Sequence, residues 1–429
     1  MSKDIKIGLL GSGTVGTGVV RVLQDNGQDI AKKVGASISV KKILVRDVSK
    51  KREYLDEAML TDNASDIIND PEIDIVVELM GGLHPAFEYM LDAMKNGKHV
   101  VTANKDVVAQ MGHELFEVAE AQGVDFRFEA SVGGGIPIIT PLKECLSGNK
   151  ITEIMGIVNG TTNYMLTQMT DKGADYESVL KDAQAKGYAE ANPAADVEGL
   201  DAARKAAILA SIAFNSRVGL DQVSVEGITK IESADIGYAK ELGYVIKLLA
   251  VAKDYGAAGI NVRVHPVFLP STHPLSSVND VFNAIFLRGN AIGDAMFYGR
   301  GAGSLPTASA VTADIISEAR NIVSGTHSMV GCTCYNHRNF CPLEDTESSY
   351  YVRLHVEDEP GVLGSIATAF GKSGVSLKSV IQTRKVGTHA EIVAVTHVVK
   401  HKHVLMAADI LKGLDVVDSI RSIIRVEQK

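Results

Sequence analysis

Residues 5–16 read Ile-Lys-Ile-Gly-Leu-Leu-Gly-Ser-Gly-Thr-Val-Gly, so an apolar run passes directly into closely spaced glycines. The apolar run is typical of a buried strand, and the segment after it has the spacing of an amphipathic helix. Gly11 allows a tight turn, Gly13 lets the main chain approach a pyrophosphate, and Gly16 permits close packing of helix on strand. A helix N-terminus also favours phosphate charge. The loop therefore predicts a dinucleotide-binding site that comprises Gly11, Gly13, Thr14, Val15 and Gly16.

Up to residue 136 the sequence alternates apolar strand candidates with amphipathic helix candidates. This βαβ rhythm predicts an α/β fold, a Rossmann-type doubly wound parallel sheet with helices on both faces. We assign residues 1–136 to a dinucleotide-binding domain. The predicted strands are Ile5–Leu10, Ile38–Val45, Ile73–Leu79, His99–Thr102 and Asp125–Phe128, and the predicted helices are Val15–Lys33, Pro85–Asn96 and Val107–Ala121.

The pattern changes in residues 137–329, where helical segments are interleaved with fewer strand-like runs. This predicts an α+β domain for substrate binding and dimerisation, with residues 304–325 forming a capped helix that returns to the first domain. The predicted helices are Pro137–Ser147, Thr161–Thr170, Tyr176–Lys186 and Ala202–Asn215, and the predicted strands are Lys150–Val158 and Val262–Leu269.

Residues 349–429 have the order strand, helix, strand, strand, helix, strand, which predicts a ferredoxin-like βαββαβ domain. Residues 330–348 show no periodicity and read as a linker. This linker carries Cys332, Cys334, His337 and Cys341, a set that can bind zinc although its spacing fits no standard zinc motif. The alternative is that these are free thiols in a reducing compartment.

Bulk composition excludes several classes of protein. The net charge of −9 argues against a nucleic-acid-binding surface. No apolar run approaches the length of a membrane span, and the N-terminus enters a predicted strand without a signal segment. We therefore expect a cytoplasmic protein that binds neither nucleic acid nor membrane.

The end of the second predicted strand bears on the choice of cofactor. Arg46 follows that strand, and a guanidinium can bind a 2′-phosphate in a bidentate manner. Asp47 comes next and suits the ribose hydroxyls of NAD. The sequence favours NADP, with NAD as the alternative.

Two further strand ends carry candidate site residues. Lys105 follows a buried strand at the sheet edge where ligands of this fold bind, so a role beside the nicotinamide is expected. Glu129 follows the fifth strand and precedes three consecutive glycines. A carboxylate with exposed main-chain carbonyls suits a sodium or potassium ion, whereas the alternative is a flexible active-site loop.

Residues 183–205 bring acidic residues and turn formers together ahead of an alanine-rich helix. Asp201 and Lys205 are four residues apart and share one helix face. Lys205 is the best candidate for the general acid that protonates an alkoxide as hydride arrives. Glu190 and Asp201 suit the ammonium group of a small zwitterion. An ordinary surface ion pair is the alternative.

At these residues the chain resembles the homoserine dehydrogenase family. The segments that carry the resemblance are 102–105, 129–137, 159–166 and 301–306, together with Ala183, Gly187, Tyr188, Asn192, Pro193, Asp196, Gly199, Asp201 and Lys205. The tail from Tyr350 resembles an ACT domain, with Asp358-Glu-Pro-Gly-Val-Leu as its typical turn.

The resemblance implies NAD(P)-dependent interconversion of L-homoserine and L-aspartate 4-semialdehyde, a step towards threonine, methionine and isoleucine. It implies Lys205 as proton donor, Lys105 near cofactor and substrate, and Glu190 and Asp201 as substrate ligands. It also implies Gly187 and Gly303 near the cofactor, and a sodium-type site at Glu129 and the main chain of Val132, Gly134 and Ile136. Feedback by threonine and a homodimer or homotetramer are the expected regulation and assembly.

Two other functions stay open at this point. One is reduction of a related amino-acid semialdehyde by NADPH, and the other is a non-catalytic amino-acid sensor that keeps the nucleotide-binding fold. A sensor has no need of both Lys105 and Lys205, so the enzyme is favoured.

Overall fold

The computed structural model describes residues 4–327, 331–386 and 389–428, without the side chains of 383–386. The chain forms two compact units. The first comprises the chain up to Ile154, Arg204–Gln222 and Phe282–His337, and the second comprises Met155–Ala203, Val223–Val281 and the chain from Arg338. The expected boundary at 329–330 lies outside the described residues.

Helices and strands alternate regularly in the first part of the chain. The elements up to residue 157 are β1 (Asp4–Leu10), α1 (Thr14–Val34), β2 (Ser37–Leu44), β3 (Leu60–Thr61), α2 (Ser65–Ile68), β4 (Ile75–Glu78), α3 (Ala86–Lys95), β5 (His99–Thr102), α4 (Lys105–Gln122), β6 (Phe126–Arg127) and β7 (Ile151–Ile157).

Helices dominate the next stretch, and strands return towards the end of the chain. The remaining elements are α5 (Gly160–Lys172), α6 (Tyr176–Ala185), α7 (Ala194–Val197), α8 (Leu200–Ala213), β8 (Val223–Val225), α9 (Ser233–Glu241), β9 (Tyr244–Asp254), β10 (Ile260–Pro270), β11 (Phe282–Gly289), β12 (Gly293–Arg300), α10 (Ser304–Ser324), β13 (Glu347–Glu357), α11 (Val362–Lys372), β14 (Leu377–Val386), β15 (His389–Thr396), β16 (Val399–Lys400), α12 (His401–Lys412) and β17 (Val417–Val426).

The first unit contains a parallel sheet in the order β3-β2-β1-β4-β5-β6. This is the strand order of the dinucleotide-binding fold, with the direction of winding reversing between β1 and β4. The predicted Rossmann-type sheet is confirmed. Because ligands of such sheets bind beyond the carboxyl ends of the strands, the residues after β1, β4 and β5 become the candidate site.

Helix α10 covers the same sheet beside α1. Its apolar face joins a core made by β1, β2, β4 and α1, in which Val311 and Ile315 are fully buried. A Cβ atom on Gly18 of α1 would lie 2.7 Å from the main-chain oxygen of Ser304, so the absence of a side chain lets the two helices approach closely.

In the second unit a continuous sheet runs β7-β9-β10-β17-β13-β15-β14. Its last four strands are antiparallel to one another, and α11 and α12 connect them as the βαββαβ order predicts. The ferredoxin-like domain is therefore confirmed. Strand β17 also pairs in parallel with β10 through Val267 and Phe268, which continues the sheet of the middle region into this domain.

Two features differ from the sequence-based expectation. The helix predicted over Pro137–Ser147 is reduced to a short π-helix, Pro141–Cys145, because the amides of Ile138, Ile139 and Thr140 donate to the carboxylate of Glu129. Strands β9, β11 and β12 were not predicted. Within the described residues, no helix is both long and apolar enough to cross a membrane.

Candidate active site

The glycine-rich loop has the conformation that its sequence predicts. Gly11 has a φ of 112°, a left-handed value that favours glycine. A Cβ atom on Gly16 would lie 2.3 Å from the main-chain oxygen of Gly11, so this position also requires glycine. Thr14 begins α1 and Gly13 precedes it as the N-cap. The free amides of the first helical turn are therefore available to a phosphate.

Beyond β2, Arg46 is exposed and Asp47 has local partners. The carboxylate of Asp47 accepts hydrogen bonds from the hydroxyl and the amide of Ser49, at 2.6 and 2.9 Å, and these bonds lower its pKa. Asp47 is thus hydrogen-bonded within its own turn, whereas the side chain of Arg46 is exposed to solvent.

A buried carboxylate joins the ends of β4 and β5. The hydroxyl of Thr102 donates to Glu78 at 2.6 Å, and the amides of Met80 and Gly81 donate to the other oxygen of Glu78 at 2.7 and 3.0 Å. The side chain of Asn104 donates to the main-chain oxygen of Gly82 at 2.7 Å. This network, which the sequence did not predict, fixes both loops at the ligand-binding edge of the sheet.

Lys105 is the first residue of α4, and Asn104 caps that helix by accepting from the amides of the first turn. Lys205 lies in α8, and both lysines are half-buried. Asp106 forms an ion pair with Arg204, with 2.6 Å between Oδ1 and Nε. Since these partners are the chain neighbours of the two lysines, the ion pair brings the backbone positions of Lys105 and Lys205 close together within the first unit.

In the second unit, the amide of Asn159 organises two carboxylates. The side-chain nitrogen of Asn159 donates to Asp196 at 2.7 Å and to Asp201 at 2.9 Å. Its side-chain oxygen accepts from the amide of Thr162 in the first turn of α5. Asp201 is buried, whereas Glu190 is exposed. Gly187 is exposed and has a φ of 73°, so that turn also favours glycine.

The loop after β6 is organised around Glu129. Its buried carboxylate accepts from the amides of Ile138, Ile139 and Thr140 at 2.6–2.7 Å. Its own amide donates to Asp314 of α10 at 2.8 Å. Burial and the neighbouring charge of Glu129 hold the pKa of Asp314 well above its usual range.

This arrangement limits how the loop can hold a cation. The side-chain oxygens of Glu129 already accept from three amides, so we expect the main-chain oxygens of the predicted set to supply most of the ligands of a cation. Gly134 has a φ of 54°, and a Cβ atom there would lie 2.3 Å from the main-chain oxygen of Gly301. Carbonyl oxygens suit a hard monovalent ion, so Val132, Gly134 and Ile136 fit in chemical type.

Gly303 precedes α10 with a φ of 123° and is exposed. The hydroxyl of Ser304, the next residue, donates to the main-chain oxygen of Thr14 in the glycine-rich loop at 2.6 Å. The main chain at Gly303 is thus close to the loop predicted to bind pyrophosphate.

The cysteine-rich segment contributes to no cluster of metal ligands among the described residues. There, three or more metal-ligating side chains converge only at His99, Asp125 and Glu318. Cys332 and Cys334 are neighbours in the first unit, whereas Cys341 belongs to the second, where it is buried 3.7 Å from the main-chain oxygen of Pro342. Zinc binding by this segment gains no support from this arrangement and stays a prediction.

Comparison with known proteins bears on the whole chain. The family model described as "Homoserine dehydrogenase" matches residues 137–316, "Homoserine dehydrogenase, NAD binding domain" matches 11–129, and "ACT domain" matches 350–415. A homoserine dehydrogenase of Bacillus subtilis is 46% identical, with 99% of each chain covered.

Solved structures agree with this. The crystal structure of a homoserine dehydrogenase from Thiobacillus denitrificans is 42% identical, with a TM-score of 0.95 over 100% of this chain and 99% of that one. A hyperthermophilic archaeal homoserine dehydrogenase in complex with NADPH is 26% identical, with a TM-score of 0.62 over 74% of this chain and 98% of that one.

Proposed function

Because the chain belongs to the homoserine dehydrogenase family, we propose that it interconverts L-homoserine and L-aspartate 4-semialdehyde with Lys205 as the proton donor. A bound nicotinamide cofactor would supply the hydride that reduces the aldehyde carbon, and Lys205 would give a proton to the oxygen of that aldehyde. We propose that the reaction serves the synthesis of threonine, methionine and isoleucine.

The observation that carries the role of Lys205 is the ion pair between Asp106 and Arg204. It joins Arg204 of α8 to Asp106 of α4, which supports a place for Lys205 beside Lys105 at the carboxyl edge of the cofactor-binding sheet. A general acid has to reach the oxygen that gains the proton, and a positioned donor contributes about 10²–10⁴-fold to rate. We assign Lys105 to orientation of cofactor and substrate at the same edge.

For the substrate, we propose that Asp201 and Glu190 bind the ammonium group. The hydrogen bond from Asn159 orients Asp201, and carboxylates bind ammonium groups strongly when the bonds are charge-assisted. A panel of amino-acid alcohols followed at 340 nm tests substrate choice. L-Homoserine should have the highest kcat/KM, whereas a higher value for another alcohol would favour the related semialdehyde reductase. No turnover with any alcohol would favour the sensor.

For the cofactor, we propose NADP, bound by the loop Gly11–Gly16 with Arg46 on the 2′-phosphate. Arg46 is exposed, and the carboxylate of Asp47 is engaged by Ser49. The hyperthermophilic archaeal relative, whose structure was solved in complex with NADPH, supports the same choice. Arg46→Ala should raise the KM for NADPH at least tenfold, about the 1.4 kcal/mol of one charged hydrogen bond, and leave the KM for NADH unchanged. Equal effects on both cofactors would refute the assignment.

We propose further that the main-chain oxygens of Glu129, Val132, Gly134 and Ile136 hold sodium or potassium. A bound ion supplies positive charge that stiffens the loop, and the chemistry on the substrate does not need it. Replacement of both ions by choline at constant ionic strength should lower the melting temperature. An unchanged melting temperature would refute the site.

We propose that the ACT domain binds threonine as a feedback effector and that the chain forms a homodimer or homotetramer. Gly361 has a φ of 95° immediately before α11, a turn with main-chain amides available to a carboxylate. Millimolar threonine should change turnover, or the mass measured by light scattering. If neither changes, this regulation is refuted.

A further inference from the structure

A cavity of about 80 Å³, open to solvent, lies within the first unit and begins about one helical turn beyond Lys105 on α4 and Lys205 on α8. Its walls come from the middle of α4, the second half of α8 and the segment after residue 331, and they are mainly apolar. The polar groups that line it include Lys143, Arg217, His113, Cys332 and Cys334. The family assignment gives none of these residues a role.

Both thiols line this cavity and lie close to each other. Cys332 is exposed, and its sulfur interacts with both the side chain and the amide of Cys334. Cys334 is half-buried, and its thiol donates to the main-chain oxygen of Ser211 at 3.8 Å. The amide of Asn336 donates to the main-chain oxygen of Asn215, at 2.8 Å, which ties the segment to the end of α8.

The cations of the cavity favour a thiolate at Cys332. The ammonium of Lys143 lies 5.0 Å from the ring centroid of Phe116 and 5.5 Å from that of Phe128, which holds it in the wall of the cavity that the thiols also line. The hydrogen bond from Cys334, with the charges of Lys143 and Arg217, lowers the pKa of Cys332 to about 6.

The thiol of Cys334, unlike that of Cys332, favours its protonated form. Its hydrogen bond to Cys332 and its burial raise the pKa of Cys334. Burial lowers the pKa of Lys143 to about 8, so this amine is still mainly charged at pH 6 to 7. The imidazole of His113, on α4, is the remaining titratable group of the wall.

We propose that Cys332 and Cys334 form a reactive dithiol, a modification site that is oxidised by small organic disulfides. The Cys332 thiolate attacks one sulfur of the reagent, a bond forms to that sulfur, and the reagent's S–S bond breaks to release a thiolate that takes a proton. Cys334 then gives its proton to solvent and attacks the Cys332 sulfur, which releases the second thiol. Two electrons pass from the protein to the reagent, and the two released thiolates take their protons from solvent, which has received the proton of Cys334.

The other two cysteines serve as comparisons. Cys145 is exposed but does not line the cavity, and Cys341 is buried in the second unit. A thiol of pKa about 6 is half ionised at pH 6, whereas one of pKa about 8.5 is ionised to about 0.3%. After the lower nucleophilicity of the more acidic thiol is included, Cys332 should react about tenfold faster than an ordinary thiol at pH 6.

The test uses the full chain with oxidised glutathione at pH 6, followed by intact mass and peptide mapping. The expected product has lost two hydrogens, and its peptide links Cys332 to Cys334. Cys334→Ser should stop at the glutathione adduct on Cys332, and Cys332→Ser should give neither product. Cys145→Ser should leave the outcome unchanged. A Cys332 that reacts no faster than Cys145 would overturn the proposal.

A second variant separates the role of the cavity from simple exposure of Cys332. Lys143→Met removes the charge and keeps an apolar side chain on the same rings, and it should move the pH at which Cys332 becomes half reactive upward. Far-UV circular dichroism checks that the variant is folded. If the folded variant keeps the wild-type pH profile, or if glutathione stays on Cys332 in the wild type without closure by Cys334, the proposal is refuted.

Discussion

Arg353 of β13 is the centre of a buried ionic network that connects the ACT domain to helix α9 within the second unit. Its side chain is 1% exposed. It donates to Asp235 and Glu391 at 2.8 and 2.9 Å, and to Glu232 at 2.9 Å. Asp235 belongs to α9, so this guanidinium, together with the hydroxyls of Tyr351 and Ser422, joins the helix to the ACT sheet. We predict that Arg353→Met destabilises this part of the protein strongly.

The expected cost follows from what the substitution leaves behind. Asp235 and Glu391 are almost fully buried and lose their cation, and breaking a buried ion pair from one side costs about 3–5 kcal/mol. Arg421 provides the matched control because it pairs with the same Glu232 at the surface. An exposed pair contributes about 0–1 kcal/mol, so Arg421→Met should have little effect.

The effect of Arg353→Met on stability should depend on pH in a definite direction. Burial raises the pKa of Glu391, but hydrogen bonds from Arg353 and Tyr238 outweigh it, and its pKa is lowered. A carboxyl group with a lowered pKa stabilises the fold above its unfolded pKa of about 4.3, and this contribution is lost as the pH falls through the folded value. The difference in stability between wild type and Arg353→Met should therefore be largest at pH 7 and become smaller below about pH 4.

Hydrogen exchange measured by mass spectrometry is a suitable assay, because it reports on peptides from β13 and α9 separately from the rest of a chain with several domains. A loss of about 3–5 kcal/mol corresponds to exchange that is faster by two to four powers of ten in these peptides. If Arg353→Met and Arg421→Met change the exchange equally, or if the difference persists unchanged at pH 3, the reasoning is refuted.

Three further predictions concern the first unit. Thr102→Val removes the hydroxyl that donates to the buried Glu78, and it should cost about 1.5–3 kcal/mol in thermal unfolding. Gly16→Ala places a methyl group 2.3 Å from the oxygen of Gly11, so the dissociation constant for NADPH, measured by calorimetry, should rise at least tenfold while the fold is kept. Burial, with a nearby carboxylate, raises the pKa of Asp314, so its ionisation destabilises the fold as the pH rises above about 4. The stability of Asp314→Asn relative to wild type should therefore be greater at pH 7 than at pH 4. Equal differences in melting temperature between the two proteins at both pH values would contradict this.

The sequence predicted the cofactor-binding domain well because its signals are local. A glycine-rich turn after an apolar strand carries its own backbone requirements, as Gly11 and Gly16 show. The βαββαβ order at the end of the chain was equally readable, because its strands and helices are separated by turn-forming residues.

The strands that were missed lack such signals. Strand β9 is buried along most of its length and pairs with β10 over its full extent, so it shows no alternation of polar and apolar residues. A run of this kind cannot be distinguished from a buried helix by periodicity alone. Strand β12 is largely exposed and contains few apolar residues that face a core.

The hydrogen-bond networks of the candidate site could not be predicted from the sequence, for a different reason. Thr102 and Glu78 are 24 residues apart, and Glu129 and Asp314 are 185 residues apart. Residue type predicted that Glu129 is important, but only the fold reveals that three amides already satisfy its carboxylate. Partners at such separations follow from topology and not from a local pattern.

The proton-donor role of Lys205 is tested most directly by turnover of L-aspartate 4-semialdehyde with NADPH in Lys205→Ala and Lys205→Arg. Arginine keeps the charge but does not release its proton at neutral pH, so both variants should lose about 10²–10⁴-fold in kcat while the dissociation constant for NADPH stays within about twofold. Lys181→Ala, a change at an exposed lysine of α6, should behave as wild type. A kcat for Lys205→Ala within about threefold of wild type would contradict the account.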